Sequence, residues 1–387
     1  MGRDIVITEY GQYIVTVTYA DGKMDFLDVS DKGNPSAVGN IYIGKVKDVV
    51  KNINAAFIEY RKGDKGYYSL ADNPDPVFLN TKNNSKVCQG DEVLIQIAKE
   101  KVKTKDPVVS SKLEIAGKYA VLTYGNAKIG YSGKFTDTDK KKELNAELEK
   151  YKSDRYGFII RTNAMNADNE IIIEEIKSLI KTFNGIIDNS KYRTCHTLMY
   201  EKQKSYGLYL RDEYTPEDKV ITDIREVYED ICSNMPHVNI EFYENELQSL
   251  TKRYSIEHGI EEILKEKVWL KSGAYLIIQP TEALTVIDVN TGKCIKGKVT
   301  DKVFRKVNIE AAHEIARQIR LRNISGIIII DFINMTESSM NEELLNIMRE
   351  LLKKDKIKSN VIDMTQLGLM EITRKKLKPP VYEQIGK

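Results

Sequence analysis

Two segments in the last third of the chain run an apolar strand into a carboxylate: Leu284-Thr-Val-Ile before Asp288, and four isoleucines, 327–330, before Asp331. An aspartate at the C-terminal end of a buried strand stands at the sheet edge where α/β folds present their ligands. If the two strands are neighbours, the carboxylates converge. Two like charges that close need a proton or a cation, and Mg²⁺ is the natural hard partner for carboxylate oxygens. Asn290, two residues after Asp288, faces the same side of an extended chain and could hydrogen-bond a phosphate or a metal-bound water. A lone strand-exit aspartate more often only caps a turn. Two of them, on four-residue apolar strands with basic helices alongside, are a stronger signal.

Other chemistries are poorly supplied. The cysteines, Cys88, Cys195, Cys232 and Cys294, are scattered and form no CxxC half-site, so no zinc site is expected. His196, His237, His258 and His313 are isolated, with no HExxH pattern. No apolar run is long enough to span a bilayer, and the N-terminus lacks the apolar core of a signal peptide, which makes the cytoplasm the default location. Net charge is only +2 over 387 residues, but it is unevenly spread. Residues 265–330 carry 12 basic against 6 acidic residues, whereas 201–264 carry 7 against 15. A polyanion is drawn to the first stretch and not to the second.

Elements that could position these groups follow from periodicity. The first 30 residues alternate as a β-meander with a turn at Asp21-Gly22, and 31–35 read as a loop. From Asn40 to about Ser111, short strands separated by Asn, Gly, Asp and Pro suggest a small closed barrel of the OB type. Phe57, Tyr60, Tyr67 and Tyr68 lie there among Lys45, Lys47, Arg61, Lys62 and Lys65. That mixture suits either base stacking or an ordinary barrel core. Helices are expected over 137–152 and 169–183, with a strand and its exit at 157–164. Thr215-Pro216 reads as a helix start, with Val220, Ile224, Val227 and Ile231 on one apolar face. From Trp269 onward the pattern is α/β: strands AYLIIQ, LTVIDV, GIIIID and SNVIDM, and helices near 301–321 and 338–354. On the first of those helices Val303, Val307, Ala311, Ile315 and Ile319 form the packing stripe. Lys302, Arg305, Lys306, Arg317, Arg320 and Arg322 are expected largely off it, and Gly292-Lys293 and Lys296-Gly-Lys298 follow Asp288 on a loop that could meet a sugar-phosphate backbone.

The segments TEALTVIDVNTGK (281–293), NIEAAHEIARQIRLRNISGIIIIDFINMT (308–336) and GLMEITRKKL (368–377) resemble the catalytic domain of the bacterial ribonuclease E/G family. Upstream, GNIYIGKVKDVVKNINAAFIEY (39–60) and GFIIRTNA (157–164) fall in that family's order, so the likeness covers nearly the whole chain. It implies an α+β multidomain fold. An RNase H-like domain (1–36 and 205–266) would be interrupted by an OB-fold RNA-binding domain (37–111) and a 5′-sensor domain (112–204), and followed by a DNase I-like catalytic domain (267–387).

By motif position, Asp288 and Asp331 would hold one Mg²⁺, with Asn290 assisting at the scissile phosphate. Arg161 and Thr162 would contact a 5′-monophosphate, and Phe57, Tyr67 and Lys105 would line a channel for single-stranded RNA. The activity implied is magnesium-dependent endonucleolytic cleavage in RNA processing and decay, ribosomal RNA maturation included. A catalytically weak RNA-binding scaffold is the alternative, which the intact Asp288, Asn290 and Asp331 disfavour. A DNA endonuclease is disfavoured by the barrel and 5′-sensor likeness. There are departures from the pattern. The CPxC-type zinc link between protomers has no counterpart here, so any homo-oligomer is expected to rely on other contacts. Tyr67 stands where the family commonly has Phe, and a basic pair near Gly133-Lys134 is reduced to one Lys.

Overall fold

The computed structural model describes residues 2–33, 35–79, 86–101, 105–293 and 300–385. The chain forms two compact units, one of residues 34–214 and one joining 1–33 to 215–387.

Unit 34–214 contains a five-stranded, OB-like barrel. Strands Ile41–Val50, Ala55–Arg61, Asp64–Ser69, Val108–Ser110 and Glu92–Lys99 pair in that order, and the first pairs again with the last to close the ring. Val46, Ile58, Tyr68, Val93, Ile95 and Val109 fill it. So small a barrel needs glycine where walls meet. A Cβ on Gly44 would lie 2.4 Å from an Ile58 methyl, and one on Gly66 2.4 Å from a Val109 methyl.

This unit also holds a four-stranded sheet (Glu114–Ala116, Ala120–Tyr124, Tyr156–Ile160, Ile129–Tyr131) with helices Thr138–Leu148 and Asn169–Ser190, and a further helix Ser205–Glu213. Asp137 caps the first by accepting from the Asp139 and Lys140 N–H groups. The second runs past the expected stop at 183. Ile186 continues the buried stripe of Ile172, Ile176, Leu179 and Phe183, and that packing outweighs the turn tendency of Asn184-Gly185.

In the other unit the N-terminal meander, Asp4–Tyr10, Tyr13–Ala20 and Lys23–Asp31, shares a sheet with Lys219–Thr222 and Ile240–Phe242, both added in parallel. The helix expected from Thr215 is not there. Asp218 accepts from the Thr215 N–H and takes a fork from Arg3, which closes a turn instead. The β-branched run Val220-Ile221-Thr222 then enters the sheet with both faces buried. The helix begins at Arg225, and Val227 and Ile231 are its buried residues.

A six-stranded sheet follows, in the spatial order Lys267–Trp269, Tyr275–Pro280, Leu284–Asn290, Gly326–Asp331, Leu369–Arg374, Ser359–Met364. Helices Asp301–Leu321 and Ser338–Lys353 belong to the same core. Leu276, Ile278, Ile287, Val289, Ile328, Ile330, Met370 and Ile372 cluster with Val307, Ala311, Ile315, Ile319, Leu344 and Met348. Alternate residues of the same strands must point to the opposite face. Among the described residues no helix is long and apolar enough to cross a membrane.

Candidate active site

Strands Leu284–Asn290 and Gly326–Asp331 are parallel neighbours, and their register sets Asp288 directly beside Asp331. Adjacent strands lie about 4.8 Å apart and register partners share a face, so the two carboxylates stand side by side. They occupy the face turned away from the helices. Ile287, Val289 and Ile330 are buried on the other side, while Asp288 is half-buried and Asp331 exposed. Asn290 projects to the same face and donates from Nδ2 to Asp288 Oδ2 at 2.7 Å, which orients that carboxylate. Among the described residues no group of three or more His, Cys, Asp or Glu side chains could hold a metal. A two-carboxylate set fits Mg²⁺, which keeps several of its waters and takes one or two protein carboxylates together with substrate phosphate.

The chain leaving Asp331 is held by helix Asp301–Leu321, the crossover between the two parallel strands. Asn308, fully buried, donates to the Ile333 carbonyl at 2.7 Å and accepts from the Ile333 N–H at 3.1 Å. At the start of that helix Asp301 accepts from the Thr336 N–H at 3.1 Å. Asn308 was legible only as a polar residue beside a packing stripe. Asn308→Ala would leave both Ile333 groups unpartnered. It is expected to cost on the order of 2 kcal/mol, read as a lowered urea midpoint at unchanged slope.

The basic residues of the crossover helix are mostly engaged. Arg305 pairs with Glu343, Arg317 with Glu314 and the Met24 carbonyl, and Arg320 with Asp25. Arg322 corrects the expected pattern. It is buried, with Nε donating to Gln318 Oε1 at 2.7 Å, and burial depresses its guanidinium to about 10. Lys302 and Lys306 remain exposed. Gly292 and Lys293 are exposed after Asn290, whereas Lys296 and Lys298 lie outside the described residues.

On the barrel, the aromatic residues divide. Tyr60 and Tyr68 turn inward, with Tyr68 donating to Ser111 Oγ at 2.9 Å. Phe57 and Tyr67 are register partners on adjacent strands, half-exposed, with ring centroids 6.2 Å apart and planes at 75°. Lys105 is exposed, two residues before Pro107, whose carbonyl accepts from the Tyr67 N–H at 2.8 Å.

Arg161 and Thr162 end the strand Tyr156–Ile160 in the same unit. Arg161 makes a forked pair with Asp212, 2.9 Å on each arm, and its Nη1 also donates to the Gly117 carbonyl at 2.6 Å. Thr162 Oγ1 lies 3.0 Å from Ser132 Oγ. Burial works to raise the Asp212 carboxyl, but hydrogen bonds from Arg161 and Arg211 outweigh it and hold the group below the usual carboxylate range. Glu175 fixes the facing loop by accepting from the Lys118, Tyr119 and Ala120 N–H groups at 2.7, 2.8 and 2.9 Å.

The chain thus carries an OB-like barrel in one unit and, in the other, an α/β sheet with two aspartates in register. A profile of the "Ribonuclease E/G family" matches residues 114–377, and the chain belongs to that family. It is 29% identical to ribonuclease G of Salmonella typhimurium over 94% of this chain and 78% of that protein. It is 30% identical to ribonuclease E of Synechocystis over its whole length, which spans 58% of that relative. Ribonuclease E of Haemophilus influenzae is 29% identical over 95% of the chain and 41% of its own length.

Proposed function

We propose that this chain is a cytoplasmic endoribonuclease that hydrolyses single-stranded RNA at internal sites, with one Mg²⁺ held by Asp288 and Asp331. The supporting observation is the register that pairs these two carboxylates on the open face of the sheet, with Asn290 bonded to Asp288. When bound, magnesium would neutralise phosphate charge and lower the pKa of a water for in-line attack on phosphorus. The protein's own residues do the rest. Asp288 and Asp331 supply two negative oxygen donors, and Asn290 fixes the rotamer of the first and presents an amide to the scissile phosphate. Asn308 holds the exit of the Asp331 strand. Phe57 and Tyr67 offer aromatic surface to unpaired bases, and Lys105 a charge to the backbone. In this reading residues 1–36 with 205–266 are the RNase H-like domain, 37–111 the RNA-binding barrel, 112–204 the 5′-sensor and 267–387 the DNase I-like catalytic domain.

A circular single-stranded RNA tests the endonucleolytic assignment, because it has no ends to start from. Linear products should appear with magnesium and vanish with EDTA. An intact circle in magnesium would contradict it.

We assign 5′-monophosphate sensing to Arg161 and Thr162. Since Asp212 already takes the Arg161 fork, a terminal phosphate competes with that carboxylate for the same guanidinium. RNA bearing a 5′-monophosphate should be cut faster than its 5′-hydroxyl counterpart. Arg161→Ala should erase the difference, and Asp212→Asn, which weakens the internal competitor, should preserve or widen it. Equal initial rates on both substrates for the unmodified protein would remove the sensing role.

A further inference from the structure

Trp269 is the chain's single tryptophan and is 60% exposed on an edge strand, where it contributes little to the core. Its placement relative to the aspartates is defined by register. Trp269 pairs with Tyr275 and Tyr275 with Asn290, while Lys267 pairs with Ile277, Ile277 with Asp288 and Asp288 with Asp331. These rows share one sheet face, so the indole stands two strands from Asn290, about 10 Å between backbones.

The Trp269 and Tyr275 rings meet edge to face at 5.2 Å, and Lys267 Nζ sits 4.1 Å from the first ring centre and 3.8 Å from the second. Gly292, in the loop leaving Asn290, approaches the same tyrosine so closely that a Cβ there would lie 3.2 Å from a Tyr275 ring carbon. An aromatic pair carrying a cation thus continues without interruption into the loop behind the catalytic carboxylates.

We infer that Trp269, Tyr275 and Lys267 form a stacking subsite for an unpaired nucleobase next to the scissile phosphate. The indole offers its face to the base, Tyr275 fixes the indole's tilt, and Lys267 supplies charge to the neighbouring backbone phosphate. This rests on the RNA-cleavage reading above, and it adds a contact on the catalytic sheet distinct from the Phe57–Tyr67 pair of the barrel.

Because Trp269 is the only indole, its emission reports on this subsite alone. A short single-stranded oligoribonucleotide of adenines and uracils is titrated into the full chain carrying Asp331→Asn, so that substrate is not consumed. Binding is followed independently by the anisotropy of a label on the RNA. The emission should quench saturably over the range in which anisotropy rises, and an abasic oligomer of equal length should raise anisotropy without quenching. In the otherwise unmodified chain, Trp269→Ala should raise KM roughly tenfold and lower kcat less, and Trp269→Phe should restore most of the loss. Binding by anisotropy with unchanged indole emission overturns the subsite and leaves the cleavage reading intact. A wild-type chain that binds RNA and quenches but never cleaves overturns the cleavage reading instead.

Discussion

Asp331→Asn and Asp288→Asn should each slow RNA cleavage roughly a thousandfold, the loss of several kcal/mol of metal-centred stabilisation. Each change removes one anionic ligand and keeps the side chain's shape, so the strands and their register should persist. RNA affinity should stay within a few-fold, because the half-exposed Phe57–Tyr67 pair and the exposed lysines are untouched. Single-turnover rates at saturating protein separate the two effects. Near-normal turnover by either variant would remove the catalytic assignment. Asp288→Asn should be the larger structural change of the two, since its neighbour Asn290 then faces an amide rather than a carboxylate, while Asp331 is exposed.

The second large effect is on stability. Arg374 ends the strand next to that of Asp331, and both it and Asp355 are almost fully buried. Its Nε donates to Asp355 Oδ2 at 2.7 Å, and Nη1 donates to Asn323 Oδ1 and the Ile324 carbonyl, both at 2.9 Å. One guanidinium thus ties the last strands to the turn that leads into Gly326–Asp331. Arg374→Ala would strand the Asp355 charge in the interior and is expected to cost about 3–5 kcal/mol. Denaturant unfolding checks this, and a midpoint within error of the parent would show the pair to be dispensable. Arg374→Met paired with Asp355→Leu should recover much of the loss, because replacing both ions with apolar groups removes the stranded charge.

That each aspartate stands near the end of a strand was readable in the sequence, because Leu284-Thr-Val-Ile precedes one and four isoleucines the other, and the carboxylate marks where burial ends. The crossover helix Asp301–Leu321 was readable for a similar reason, since its stripe recurs at helical spacing over five turns. What escaped was partnership. A carboxylate of its own domain was an open alternative for Arg161, but nothing near it in sequence names Asp212, 51 residues on, which takes its fork. Arg322 reads as solvent-facing until Gln318 and the surrounding core enclose it. Thr215-Pro216 carries a sound local helix signal, but Arg3 and the N-terminal strand supply a stronger non-local alternative through Asp218 and Val220. Arg374 sat inside a recognisable motif, yet nothing near it in sequence announces Asp355. Periodicity reports which face is buried. It does not report who waits on the other side.

The measurement that bears most directly on the paired aspartates as a magnesium centre is the cleavage rate of a circular single-stranded RNA as magnesium is titrated, for the wild type and Asp331→Asn. The wild type should rise from no cleavage in EDTA to a saturating rate. Asp331→Asn should need far more magnesium and still plateau orders of magnitude lower. Superimposable titrations for the two proteins would contradict the assignment of this site.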